Sequence, residues 1–264
     1  MINIEALNIA SKNWLNQKPF PHFIVDGFFE NKIAEDLENE FPSFNDNSWH
    51  EYGNAIEIKK VCNNWNIFPS QTYKAFSYLN SIEFVTTLSK LLFGESILSS
   101  DPGLNGGGWH IHKRGGKLNQ HLDYSLHPKL KLQRKLNIII YVSSEWDKEW
   151  GGNFGLWSNE SKDHPGKLQK EIEPKFNRAV IFDTTMNSWH GLTSPLTCPE
   201  DRYRKSLAAY YLCNPPINVD TRGKALFAPT EMQSKNKEVL DLIRKRSSIE
   251  SAQSVYSKKT DILK

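Results

Sequence analysis

The chain has 264 residues with 38% hydrophobic and 12% aromatic content, enough to bury a sizeable core and too aromatic for a wholly disordered chain. Its formal net charge is only +3, which leaves no electrostatic footprint for nucleic acid. Three cysteines without a Cys-x-x-Cys pair support neither a disulfide scaffold nor a sulfur-ligated zinc site, and no apolar run reaches the roughly 18 residues that span a bilayer.

Met1 to Glu5 shows no basic segment followed by an apolar one, so no secretion signal is expected, and the sparse cysteines predict a reduced, cytoplasmic setting. Residues 1–19 read as a polar lead-in with some helical character. Pro19-Phe20-Pro21 breaks it, Phe23 to Val25 reads as a strand, and Asp26-Gly27 as a turn. Ile33, Ala34, Leu37 and Phe41 recur at helical spacing between Glu30 and Phe41, and Pro42 stops that helix. A second helix is predicted over Ser70 to Leu79. Asn80 and Glu83 form a capping-box pattern for a third, which carries Phe84, Val85, Leu88, Leu91 and Leu92 and ends at Gly94.

The texture changes near Asp101, where glycine-rich turns begin to separate short β-like runs. Trp109 to His112 follows Gly106-Gly107-Gly108, and Leu118 to Tyr124 follows Gly115-Gly116. Leu136 to Val142 is apolar except for Asn137, and reads as a buried strand. Phe154 to Trp157, Arg178 to Phe182 and Ser206 to Leu212 complete the set, a pattern that predicts an antiparallel sandwich or barrel under a helical layer. Beyond Asn214-Pro215-Pro216, residues 222–264 hold ten Lys and Arg against five Asp and Glu, with a helix expected near Lys237 to Arg246.

Chemistry concentrates in the β region. In His121-Leu122-Asp123, residues i and i+2 of a strand point to one face, which sets an imidazole beside a carboxylate. A second histidine from a neighbouring strand would complete a two-His, one-carboxylate set, which leaves open positions on an octahedral iron. His190, after the strand ending at Phe182 and the Asp183-Thr184-Thr185 turn, is placed for that role. Arg204 opens the strand that follows, where a guanidinium can grip a carboxylate with two parallel hydrogen bonds.

The order His121-x-Asp123, His190, Arg204-x-Ser206-Leu207 resembles the iron(II)/2-oxoglutarate-dependent dioxygenases, and most closely their prolyl-hydroxylase-like branch. The stretch Leu136 to Tyr141, Trp146 and Gly151-Gly152 is similar to that branch between its ligand blocks. So is the start Phe20-Pro21-His22-Phe23-Ile24-Val25-Asp26. The resemblance implies a mainly β fold, a double-stranded β-helix (a jelly-roll, cupin-like barrel) with an N-terminal helical layer. It implies Fe(II) on His121, Asp123 and His190, with 2-oxoglutarate and dioxygen as co-substrates and ascorbate as a candidate reductant. Arg204 would pair with the 5-carboxylate of 2-oxoglutarate, Arg202 being the rival because the gap from His190 is long for the family. The branch often places a tyrosine on the strand matching Leu136 to Tyr141, but Ile139 and Ile140 stand nearest, with Tyr141 one step later. Asn137, the lone polar residue of that run, is therefore a second candidate for holding 2-oxoglutarate, against a structural hydrogen bond.

Tyr124, His112 and His127 are candidate substrate-facing residues. His110-x-His112 also resembles a cupin pair, but Gly115, Gly116 and Lys117 stand where a cupin would place its glutamate. The expected layout is one dioxygenase domain over residues 1–221, helical to 100 and β from 101 to 214, followed by a basic, partly helical extension over 222–264. The expected reaction is hydroxylation of an unactivated C–H bond with release of succinate and carbon dioxide, the commonest substrate of the branch being a prolyl residue in a peptide or protein. Alternatives are the same chemistry on an amino acid or glycan precursor, a non-catalytic metal-binding barrel, and a zinc-dependent cupin-like enzyme. No nucleic-acid or membrane partner is expected, and the oligomeric state is open.

Overall fold

Strands whose side chains are buried on both faces need cover on both sides, and two strands of this chain define what that cover is. In the computed structural model, which describes residues 1–255, the strands are β1 (His22–Asp26), β2 (His50–Gly53), β3 (Glu57–Cys62), β4 (Ser99–Ser100), β5 (Gly108–His112), β6 (Lys117–Leu118), β7 (His121–Leu122), β8 (Gln133–Tyr141), β9 (Phe154–Ser161), β10 (His164–Ile172), β11 (Arg178–Asp183), β12 (His190–Leu192), β13 (Arg204–Cys213) and β14 (Leu226–Phe227). They form a larger sheet with the order β1-β11-β8-β13-β5-β3-β2, to which β4 and β6 attach, and a smaller sheet with the order β10-β9-β12-β7-β14. Every pairing between named strands is antiparallel.

The apolar run at β8 divides by parity. Leu136, Ile138, Ile140 and Val142 belong to the large core beneath the helices, whereas Ile139 and Tyr141 turn to the space between the sheets and pack near Phe154, Val180 and Phe182. A strand so placed reads as a continuous apolar segment rather than an alternating one. Helices α1 (Ile4–Ser11), α2 (Asn31–Asn39), α3 (Ser70–Leu79) and α4 (Ile82–Phe93) cover the outer face of the larger sheet, inserting Leu7, Leu37, Phe76, Phe84 and Leu88, each fully buried. Burial of each such side chain contributes roughly 1.5–3 kcal/mol. The result is the expected jelly roll with a helical layer on one sheet, and the inner face of the other sheet left for the site.

Three local expectations change. The cap of α4 is Ser81, whose Oγ accepts from the Phe84 amide at 3.1 Å; Asn80 instead closes α3, donating its side-chain amide to the Phe76 carbonyl at 2.9 Å. Only Asn80 and Ser81 separate the two helices, so Asn80 ends the first and the cap of the second falls on Ser81. The expected strand Leu118 to Tyr124 is broken into β6 and β7, because Asn119 and Gln120 bond elsewhere, to the Ile56 and Ala228 backbones.

The third change concerns the C-terminal boundary. The segment after residue 221 is not an appendage. β14 joins the edge of the smaller sheet, with Phe227 opposite His121. Helix α5 (Lys237–Ser247) packs Val239 against Ile56 and Phe227, and Arg246 pairs with the fully buried Glu57 at 3.1 Å. The last part of the expected extension, residues 256–264, lies outside the described residues. Among the described residues, no helix is long and apolar enough to cross a membrane.

Capping supplies a direct check. Ser81→Ala lowers the unfolding free energy by about 1 kcal/mol. Asn80→Ala lowers it by less, because its bond is one of several satisfying the end of α3. Urea denaturation of both variants measures the difference.

Candidate metal centre

Two neighbouring strands of the smaller sheet carry the histidines. β12 pairs with β7 so that His190 stands directly opposite His121, and the two rings lie 4.2 Å apart between centroids. β7 ends at Leu122, yet Asp123 still turns to the same face. Its Oδ1 lies 3.8 Å from His121 Nε2, and its Oδ2 lies 3.8 Å from His190 Nε2. Ligand atoms of the three residues fall within 4.8 Å of one another.

The donor set fits a divalent metal. Asn119 O accepts from His121 Nδ1 at 3.0 Å, and Ser188 O accepts from His190 Nδ1 at 2.8 Å. A carbonyl can only accept, so Nδ1 carries the proton on each ring and Nε2 presents a lone pair to the cluster. Burial lowers the pKa of both imidazoles, which keeps them neutral and ready to ligate. Phe227 stacks on the His121 ring at 4.9 Å, and Phe182 lies 4.8 Å from that of His190, so the ring faces are shielded by aromatic carbon. Two neutral imidazoles and one carboxylate, with room on the open side, form the facial set that suits iron(II).

Asp123 is held at both ends. Arg134 Nη1 lies 3.4 Å from Oδ1, Asn137 Nδ2 donates to Oδ2 at 3.3 Å, and Arg222 Nη2 donates to the Asp123 carbonyl at 3.0 Å. Burial pushes the carboxyl upward, but the cations facing it, the Arg134 guanidinium first and Lys59 behind it, outweigh burial and hold it at about 2. The amide of Asn137 is thus engaged by the carboxylate rather than offered to a co-substrate; only its Oδ1 is left unpartnered.

The cluster opens into a cavity of about 240 Å³ between the sheets, whose walls include Lys59, His112, Asn137, Arg204 and Phe227. Arg204, at the start of β13, is 3% exposed and pairs in register with His112. Its Nε donates to Gly152 O at 2.9 Å and its guanidinium lies 4.7 Å from the Tyr141 ring. Gly152 has φ +74°, and a Cβ there would lie 3.0 Å from Arg204 Cδ, so the Gly-Gly turn is what admits this arginine. Among the described residues Arg204 has no carboxylate partner. Arg202 forms an ion pair with Glu145 at the surface, 44% exposed, and does not line the cavity.

His112 lines the cavity with both ring nitrogens unpartnered, and burial holds its pKa well below the usual range. Burial and the nearby Lys59 push His110 down to about 3. Tyr124 also lines the cavity, but its hydroxyl already donates to Asn105 O at 3.2 Å and accepts from Asn105 Nδ2 at 2.9 Å. His127 does not face the site. Its Nδ1 accepts from the Lys129 and Leu130 amides at 3.2 and 3.0 Å, and its Nε2 lies 3.5 Å from Asp101, so it fastens a turn.

Sequence reasoning missed Arg134, Arg222, Phe227 and the inward turn of Tyr141. Period-two parity along β8 would have placed Tyr141 with Asn137 and Ile139. Arg134 was beyond that rule. A β-bulge sets Leu136 opposite Tyr211 but Arg134 opposite Leu212, which re-aims position 134 into the cavity.

Residues 107–212 match the sequence model of the 2OG-Fe(II) oxygenase superfamily. Among curated relatives, the prolyl 3-hydroxylase OGFOD1 of Xenopus laevis is 20% identical over 224 residues, covering 78% of this chain and 38% of that protein. The chain therefore spans well under half the length of that relative. The solved prolyl-4-hydroxylase of Pseudomonas putida superposes with a TM-score of 0.56 at 14% identity, over 79% of this chain and 99% of the other. A Trichoplax adhaerens prolyl hydroxylase, solved with a hypoxia-inducible-factor peptide, gives 0.54 at 17% identity over 79% and 90%. At these identities the two structures establish the shared fold.

Calorimetry with Co(II) on metal-stripped protein checks the assignments of His190 and His127. His190→Ala costs more affinity than the roughly 10–100-fold loss typical of removing an outer partner of a metal ligand. His127→Gln leaves metal affinity within about twofold and instead lowers stability by about 1–3 kcal/mol, the penalty of a buried turn left unpaired.

Proposed function

We propose that this chain is an iron(II)- and 2-oxoglutarate-dependent dioxygenase that hydroxylates an unactivated C–H bond. The observation that carries the reading is Arg204, a buried guanidinium that among the described residues has no counter-anion, in the same cavity as the two-His, one-carboxylate cluster. A buried charge without a partner is costly, and a dicarboxylate co-substrate would supply one. His121, Asp123 and His190 hold the metal, which with 2-oxoglutarate and dioxygen supplies the oxidising chemistry and releases succinate and carbon dioxide.

The residues of the chain orient and desolvate. Arg204 grips the distal carboxylate of the co-substrate, and its own position is set by Gly152 O and the Tyr141 ring. His112, neutral and unpartnered, offers hydrogen bonds beside it. Phe154, Phe227 and Leu192 line the cavity with carbon, excluding water from the reacting centre. The substrate class we favour is a prolyl residue of a peptide or protein, in line with the prolyl hydroxylases among its relatives; an amino acid or glycan precursor is the alternative. Ascorbate is the candidate reductant.

The test is co-substrate binding by anaerobic Fe(II) protein, followed through the visible charge-transfer band of the chelate. Arg204→Met weakens 2-oxoglutarate at least about tenfold, the loss of one charge-assisted hydrogen-bonded pair. Arg202→Met changes it by less than about twofold. A wild-type protein that gives no band with 2-oxoglutarate defeats the reading. Succinate release on a panel of proline-containing peptides and free amino acids then separates the two substrate classes.

A further inference from the structure

Arg134 is the most heavily enclosed cation that touches the candidate metal ligands. It is 2% exposed, and its guanidinium lies between two tyrosine rings, 3.4 Å from the Tyr124 centroid and 3.3 Å from the Tyr210 centroid. Nη2 donates to Asn105 O at 2.6 Å, which fixes rotation within the slot, and Nη1 faces Asp123 Oδ1 at 3.4 Å. A Cβ on Gly106 would come within 3.3 Å of Nη2, so that wall is backbone as well. Burial of a guanidinium costs several kcal/mol unless its donors and faces are satisfied. Here both faces meet aromatic rings, the edge meets the Asn105 carbonyl and the Asp123 carboxylate, and among the described residues only Nε lacks a partner.

We infer that Arg134 is the positioning residue of the metal centre: from the Tyr124–Tyr210 slot it fixes the orientation of the Asp123 carboxylate for ligation. The inference rests on the metal reading of His121, Asp123 and His190. Asp123 lies just past the end of β7, where no strand pairing holds it, so its side chain needs external restraint. Asn137 restrains Oδ2 and Arg134 restrains Oδ1. A cation near a bound dication is repulsive, and a protein seeking only charge balance would not bury one there. Orientation is the gain that offsets the repulsion. The β-bulge in β8 exists at the one position that turns Arg134 toward Asp123.

The experiment measures Co(II) binding by metal-stripped protein, without co-substrate, through affinity and the visible spectrum of the bound ion. Arg134→Ala is expected to lose about 10–100-fold in affinity and to show an altered spectrum. The variant leaves a guanidinium-shaped slot between two rings, so millimolar guanidinium is expected to restore both affinity and spectrum. The same concentration of urea or sodium chloride is expected to restore neither. If Arg134→Ala does not fold, Arg134→Lys decides: it keeps the charge but cannot fill the slot, and the same loss is expected. Wild-type affinity in either variant, or a loss in folded Arg134→Ala that guanidinium does not repair, overturns the inference. A wild-type protein that binds no Co(II) overturns the metal reading itself, a separate result.

Discussion

His121 and His190 come from strands of two and three residues, far apart in sequence, and the site depends on their meeting at one register in the middle of the smaller sheet. A slip of one residue would send each imidazole to the opposite face, away from Asp123. Two features secure that register. Glycine at 191 lets the chain pass close to the Leu118 and Asn119 carbonyls, 2.8 and 2.7 Å from where a Cβ would sit. Each histidine also ties its own Nδ1 to a carbonyl two residues back, so backbone and ring are fixed together.

Around that meeting the cavity assembles an unusual balance of charge. Asp123 faces Arg134 at one end, and at the other Arg204 has no carboxylate partner among the described residues. Lys59 is drawn to Glu57, 3.6 Å away, which Arg246 also engages at 3.1 Å. A cavity lined by buried cations, one of them Arg204 with no carboxylate partner among the described residues, is well suited to an anionic co-substrate, because a buried guanidinium favours an anionic oxygen acceptor. The same burial holds His110 and His112 neutral, so they add hydrogen-bonding capacity without adding charge.

The C-terminal segment shows how composition misleads at a boundary. A surplus of lysine and arginine after residue 221 looks like a solvated tail. In the fold, hydrophobic residues and two arginines within it, Arg222 and Arg246, make it part of the barrel. Phe227 stacks on a candidate ligand, Val239 seals the edge near Ile56, and Arg246 reaches a fully buried glutamate. Arg244 and Lys245, by contrast, sit on the outer side of α5 beside Asp241.

Most helices, several strands and the chemistry that is local in period were legible in the sequence: the helices from their 3.6-residue spacing, the strands between glycine turns, the His-x-Asp pair, and the distal histidine and arginine in chain order; β2, β3 and β10 carried no such signal. These are legible because a side chain's face follows from its position within one element. Tertiary structure decided everything that lies between elements. It buried Arg204 beside the cluster and paired Arg202 with Glu145 at the surface. It turned His127 into a turn fastener and Asn137 into a partner of Asp123. It brought Arg134 inward through a bulge, and Phe227 onto His121 from more than a hundred residues away. Register shifts and long-range pairings leave no periodic trace in a sequence, since they depend on which strand lies alongside and not on the residues of the strand itself.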